Sequence, residues 1–341
     1  MAAPGVAIND YLERTFGRFV GDRATGEPPL TPWTPMPQPG LDQLQSHLSD
    51  YYEIEVRSLA PLDCGVVRVD RRDKVRWIAR VFPPARSAAA TEADIGVLRW
   101  LAAHDMPAER LAHDEPLTWV DGHAVVVTEF APGKPISQTR ATSEWMGETL
   151  GRLHALPLHG APEREGGGWH HLSLNGGGRT QDIALLHDLL TDVAARAPKS
   201  AEAIAELRSA LDSLDLGTDL PEAMVHVDFG GPNVLRDKDR YTVIDWTGAG
   251  RAPRIAALAS VVAPQGDTAL DVIVGAYRSH ITPTAEELER IEAMMLTHQL
   301  VLAAWGALFD ATRAADTVAR LDDARGSAAK KAARLRRAFE S

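Results

Sequence analysis

Residues 224–246 read MVHVDFGGPNVLRDKDRYTVIDW, and the polar residues in this stretch are spaced for chemistry. NVLR (233–236) and YTVI (241–244) alternate like two strands, and DKDR (237–240) has the composition of a turn. A hairpin centred near Asp239 sets Leu235 opposite Val243 and Asn233 opposite Asp245. Cross-strand neighbours present their side chains together on one face. An amide oxygen and a carboxylate so placed suit a hard divalent cation, Mg²⁺ above all. Such a cation takes oxygen ligands and keeps positions for water and phosphate. His226 and Asp228 lie just before the hairpin and add a second carboxylate. Phosphoryl transfer divides its labour this way: two ligands hold the metal on the phosphates, and a separate aspartate orients the acceptor hydroxyl.

Asp228-Phe229-Gly230 also spells the metal-loop triplet of protein kinases. In that role it needs an H-x-D-x-x-x-x-N loop upstream, and residues 206–224 contain no histidine or asparagine. His226, Asp228 and Asn233 complete that pattern themselves, and Ile244-Asp245-Trp246 then supplies the metal aspartate. Asp228 is therefore read as the catalytic aspartate, and Asn233 and Asp245 as metal ligands. His226 is read as a brace for the loop.

Around this stretch, HVDFGGPNVL…VIDW resembles the signature of the aminoglycoside phosphotransferase and choline kinase-like group, usually HGDLHPGNVL…VIDW. The resemblance spans about residues 50–310. It implies a two-lobed, protein kinase-like α+β fold with a small β-rich N-lobe and a larger helical C-lobe. Residues 1–50 are expected to form an N-terminal helix, a Pro-rich linker and a lead-in helix, 51–130 the nucleotide-binding lobe, and 131–341 the helical lobe. The implied activity is transfer of the γ-phosphate of ATP or GTP, with Mg²⁺, to a hydroxyl of a small amine-bearing acceptor of aminoglycoside type, with antibiotic resistance as its setting. Choline, homoserine or a sugar is the alternative acceptor. A non-catalytic nucleotide-binding protein is the alternative outside enzymes.

The family linker, matched by VVVTEFAPGKPI (125–136), would bind adenine through backbone groups near Glu129 and Ala131. The family also places a lysine on the third strand, on the α- and β-phosphates, paired with a glutamate on the next helix. Here VRWIARVF (75–82) offers Arg80, and the helix offers Asp94, with Glu92 as the second choice. Arginine keeps its charge and forks onto carboxylate or phosphate. The phosphate-covering turn carries only Gly65. After VIDW the chain has Arg254 where the family commonly has an acid.

The rest bounds these readings. The 341 residues are 45% hydrophobic and 24% charged, with a formal net charge of −11. That acidity disfavours nucleic acid and favours cationic small molecules if it lines a cleft. Cys64 is the single cysteine, which excludes an internal disulfide. No secretion-signal pattern and no unbroken apolar run of membrane-spanning length is read, so a soluble, cytoplasmic protein is expected, with oligomeric state open. Helical patterns are read at 5–20, 42–52, 91–104, 143–156, 180–196, 200–213, 254–262, 268–279, 284–314 and 316–339. Strands are read at 53–60, 65–71, 75–82 and 123–130. His170-His171 is read as a surface pair and not a metal site, since no third ligand lies at short spacing. Asp182, Asp188 and Asp192 are read as a solvated helix face.

Overall fold

The computed structural model describes residues 39–63, 65–82, 84, 86–166, 178–226 and 228–340. The helix expected over 5–20, nearly all of the Pro-rich linker, Cys64 and the His170-His171 loop lie outside them. Among the described residues ten strands run in chain order: β1 (Val56–Asp63), β2 (Val66–Arg71), β3 (Arg76–Val81), β4 (Leu117–Val120), β5 (His123–Glu129), β6 (Lys134–Pro135), β7 (Glu222–Val225), β8 (Val234–Asp237), β9 (Arg240–Val243) and β10 (Gly250–Pro253). The chain forms two compact units. Of the described residues, one unit comprises those up to Pro135 together with Val234–Asp245, and the other those between Ile136 and Asn233 and from Trp246 onward.

The first unit is built on an antiparallel sheet of order β1-β2-β3-β5-β4. The period of two along each strand sorts its side chains between two faces. Trp77, Ala79 and Val81 of β3 and Val125 and Val127 of β5 share a buried cluster with Leu44 and Leu48 of the Leu41–Tyr51 helix. Ala124 and Val126 join Phe82 and Ile95 of the Ala88–Ala103 helix on the other face. Arg80, paired across the ladder with Val126, belongs to this second face. The turn expected at 71–74 forms, with Lys74 at φ 70° and the Arg71 N–H bonded to the Val75 carbonyl at 3.0 Å. The first strand starts at Val56 and not at Glu53, because Glu53 takes a left-handed conformation, φ 51°, after the helix.

The expected hairpin is present as β8 and β9, shifted in register by one residue. Val234 faces Val243 and Leu235 faces Thr242. Asn233 lies outside the ladder, in the 3₁₀ turn Gly231–Asn233, so it does not face Asp245 across the strands. The third strand of this small sheet is β6, on β8. Gly133 permits that pairing: its φ is 123°, and a Cβ there would collide with the Arg236 backbone.

The second unit is helical around the β7–β10 ribbon. Its helices are Arg140–Ala155, Arg179–Arg196, Ala201–Asp212, Arg254–Val262, Asp267–Tyr277, Ala285–Phe309, Thr312–Val318 and Leu321–Glu340. Gly147 lets the Arg140–Ala155 helix lie directly on Asp267–Tyr277, since a Cβ there would meet the Ile273 carbonyl. By length and hydropathy alone Ala285–Leu308 could cross a membrane, which the reading of the sequence did not anticipate. Half of that window is buried inside the protein, as in the core helix of a packed unit. The helix opens with a capping box between Thr284 and Glu287. Glu287 is fully buried and receives Arg254 Nε and Nη2, both at 2.8 Å. Arg254, in the place where the family commonly carries an acid, thus answers a carboxylate from another helix.

Candidate active site

In the first unit, Asp245 follows β9 in a left-handed conformation, φ 66°, a region that aspartate enters more readily than most non-glycine residues. Two contacts hold it there. Its N–H donates to Glu109 Oε1 at 2.8 Å, and Arg80 Nη2 lies 3.0 Å from its Oδ1. Glu109 is itself fixed: its N–H donates to the Val243 carbonyl at 2.9 Å, and the Thr128 hydroxyl donates to its Oε2 at 3.3 Å. Burial works against the charge of Arg80. The carboxylates of Asp245, Glu109, Asp94 and Asp63 more than offset it, and the guanidinium titrates above the ordinary arginine value.

The expected support of Arg80 by Asp94 or Glu92 is corrected by this arrangement. Asp94 is buried and its Oδ2 accepts from Arg86 Nη2 at 2.6 Å. Arg86 is buried too and stacks its guanidinium 4.7 Å from the Phe82 ring centroid. Asp94 reaches Arg80 through its field, while Glu92 is exposed on the helix. Gly65 sits in the β1–β2 turn at φ 67°, and its carbonyl accepts the Val81 N–H at 2.7 Å. Glu129 closes β5, with its N–H bonded to the Arg110 carbonyl at 2.8 Å, and Ala131 follows in the loop before β6.

In the second unit, β7 delivers His226 into the core, where its ring meets Trp246 edge-on at 4.6 Å and Phe229 at 6.1 Å. The Asp228 N–H donates to His226 Nδ1 at 3.0 Å. That nitrogen is therefore the acceptor, and the ring proton belongs on Nε2. Phe229 is buried as the third residue of the anchor, while Asp228 between the two rings is exposed. Asn233 Nδ2 donates to the Asp228 carbonyl at 3.0 Å and to its Oδ2 at 2.9 Å. With its amide hydrogens turned to Asp228, Asn233 keeps Oδ1 for another partner.

These residues fit a divalent cation in kind. Asp245 Oδ1 is buried beside Arg80 with no donor aligned on it for a hydrogen bond. Asn233 offers the amide oxygen that such ions accept. Among the described residues no group of three or more His, Cys, Asp or Glu side chains is placed to hold a metal alone.

The sequence profile of the phosphotransferase enzyme family matches residues 65–293. The chain belongs to that family. Solved structures agree on the fold. Macrolide 2′-phosphotransferase MphH from Brachybacterium faecium superposes with a TM-score of 0.52 at 18% identity, covering 84% of this chain and 98% of the other. Choline kinase from Cryptosporidium parvum Iowa II gives 0.57 at 15% identity, over 80% and 88%. Amicoumacin kinase hAmiN, in complex with AMP-PNP, Ca²⁺ and Ami, gives 0.55 at 13% identity, over 84% and 93%. No curated protein matches the sequence. The two-lobed kinase-like class read from the sequence is thereby shown, and with it membership among small-molecule phosphotransferases.

Reading the sequence had missed Glu109, which lies far from Asp245 in the chain and carries no motif of its own. It had also missed Arg86, one residue ahead of the Ser87 helix cap. A cavity in the second unit, described below, had no signal in the sequence.

Proposed function

We propose that this protein transfers the γ-phosphate of a nucleoside triphosphate to a hydroxyl of a small molecule. The observation that carries the reading is Asp228: an exposed carboxylate whose backbone is tied to a buried histidine and whose Oδ2 is tied to Asn233. Asp228 accepts the hydroxyl proton as the acceptor oxygen bonds to the γ-phosphorus. The bond from that phosphorus to the β–γ bridging oxygen breaks, and the nucleoside diphosphate leaves. Asn233 and Asp245 are the proposed ligands of Mg²⁺, which when bound neutralises phosphate charge. Arg80 is assigned to the phosphates, in place of the usual lysine. Gly65 and the backbone around Glu129 and Ala131 are assigned to the nucleotide.

A second reading has one observation in its favour. Arg80 is already engaged with Asp245, so a protein that holds nucleotide without transferring phosphate would keep this pair closed. The test is Mg²⁺-dependent transfer from ATP and GTP across amine-bearing antibiotics, choline, hydroxy amino acids and sugars, with Asp228→Asn alongside. Turnover lost in the variant supports the enzyme. Nucleotide binding with no transfer to any acceptor favours the second reading.

A further inference from the structure

The second unit contains a cavity of about 270 Å³. His226 is part of its lining, so the cavity backs onto the side chain that anchors Asp228. Leu216, Val225, Ala257 and Met294 give it apolar walls. Its charged lining is uneven. Glu165 and Glu222 are both exposed, whereas Arg179, Arg251 and His298 are half-buried.

Arg179 opens the Arg179–Arg196 helix and has no hydrogen-bond or ion-pair partner among the described residues. Burial penalises its charge, Asp182 only partly offsets this, and the guanidinium is held below the ordinary arginine value. His298 Nδ1 is buried without a partner. Arg251 gives Nη2 to the carbonyls of Leu158 and Ala161, each at 3.1 Å, and its Nε is also buried without a partner. Buried polar atoms such as Arg251 Nε and His298 Nδ1 are costly to leave unsatisfied unless a ligand or water answers them.

We propose that this cavity takes an anionic group, a carboxylate or a phosphate, on the small molecule whose hydroxyl is phosphorylated, with Arg179 as its anchor. An arginine fork binds either group through two parallel hydrogen bonds. Arg251 Nε supplies a further donor, and the apolar walls receive the carbon skeleton. A ligand carrying only an ammonium would meet Arg179 directly, while the carboxylates of the lining are exposed. The identification of this ligand as the acceptor rests on the phosphotransferase reading; the anion site does not.

The experiment titrates inorganic phosphate, acetate, hydroxy acids and sugar phosphates into the full chain, with and without Mg²⁺-nucleotide. Wild type is compared with Arg179→Ala and Arg179→Lys by Tm and by NMR of the His298 ring. At least one carboxylate or phosphate compound should raise Tm and make His298 easier to protonate by neutralising Arg179. Arg179→Ala should abolish both effects and Arg179→Lys keep part of them. Which class of compound responds distinguishes carboxylate from phosphate. Arg179→Ala alone should raise the ligand-free Tm, because it removes a poorly solvated charge, and this shows that the variant folds. No response to any anion, or an equal response in Arg179→Ala, overturns the proposal. Turnover of purely amine-bearing acceptors at a rate untouched by Arg179→Ala overturns it too, while phosphotransfer stands. Anion binding lost in Arg179→Ala without any phosphate transfer upholds the anion site and sinks the kinase reading.

Discussion

The Asp228 amide donates to His226 Nδ1 at 3.0 Å, and this bond ties an exposed carboxylate to a side chain buried against Trp246. If the bond serves to aim Asp228, its loss slows the chemical step and spares nucleotide affinity. His226→Ala should lower kcat about 10- to 100-fold with little change in nucleotide KM. His226→Asn, whose amide oxygen can accept the same N–H, should recover part of the loss. Asp228→Asn should cost more, about 10²- to 10⁴-fold. Steady-state kinetics on the responding acceptor check all three.

Glu109 Oε1 accepts the Asp245 N–H and helps to fix its left-handed conformation. Glu109→Ala should destabilise the fold by about 1–3 kcal/mol, the cost of stranding a partly buried amide, and should weaken Mg²⁺-dependent nucleotide binding. Glu109→Gln keeps an accepting oxygen and should be milder. Denaturant unfolding and calorimetric titration of Mg²⁺-nucleotide measure the two effects.

Arg80 is paired with Asp245 at 3.0 Å, so its removal would act on both the phosphate contact and the metal ligand proposed above. Arg80→Ala should cost about 1.5–3 kcal/mol of nucleotide affinity, roughly 10- to 100-fold. Arg80→Lys restores the family's usual cation and should retain most of the affinity. Unchanged binding in Arg80→Ala removes Arg80 from the nucleotide site.

His154, which is buried, and His298, which is half-buried, should together set an acid limit on stability. Burial and Arg254 depress His154 to about 3, and burial and Arg179 depress His298 to about 4. Unfolded, both return to about 6.5. Below that pH the unfolded chain binds protons that the folded chain refuses, so stability falls as pH drops from 6.5 toward 4. Each histidine contributes a slope of about 1.4 kcal/mol per pH unit. Urea unfolding in an anion-poor buffer should show this decline above the range where carboxylates titrate. His154→Gln, which can still bond the Tyr277 hydroxyl now 3.0 Å from Nδ1, should flatten it.

The Arg254–Glu287 pair joins two helices with Glu287 fully buried. Glu287→Ala strands the arginine and uncaps the Ala285–Phe309 helix, and should cost about 3–5 kcal/mol. Replacing both partners by methionine should cost much less, because no buried charge is then left alone. Equal losses in the single and double variants argue against the pair.

The stretch holding His226, Asp228 and Asn233 stood out as a candidate site because its three polar residues are close in sequence and flanked by alternating apolar ones, and the structure joins them by hydrogen bonds. Its register was not legible. Val234–Asp237 and Arg240–Val243 can pair in either of two neighbouring registers on pattern alone, and the Gly231–Asn233 turn consumes the residue that would extend the ladder. Arg80 was found from its strand, yet its partner was misassigned, since helix register does not reveal that Arg86 reaches Asp94 first. β7 and β10 are four residues each, too short for periodicity to show. The Thr284–Glu287 capping box was in plain view as TAEE, and reading it would have placed a helix start at Ala285.

The Val234–Asp245 hairpin belongs to the first unit although 98 residues of the second, Ile136–Asn233, precede it in the chain. A ribosome therefore releases β6 long before its partner β8, and Glu109 long before the Asp245 amide it holds. At roughly 5–20 residues per second, the first unit waits about 5–20 s for its last two strands. Cutting the chain at residue 135 cannot yield a complete first unit, because the piece that ends that unit is encoded inside the other.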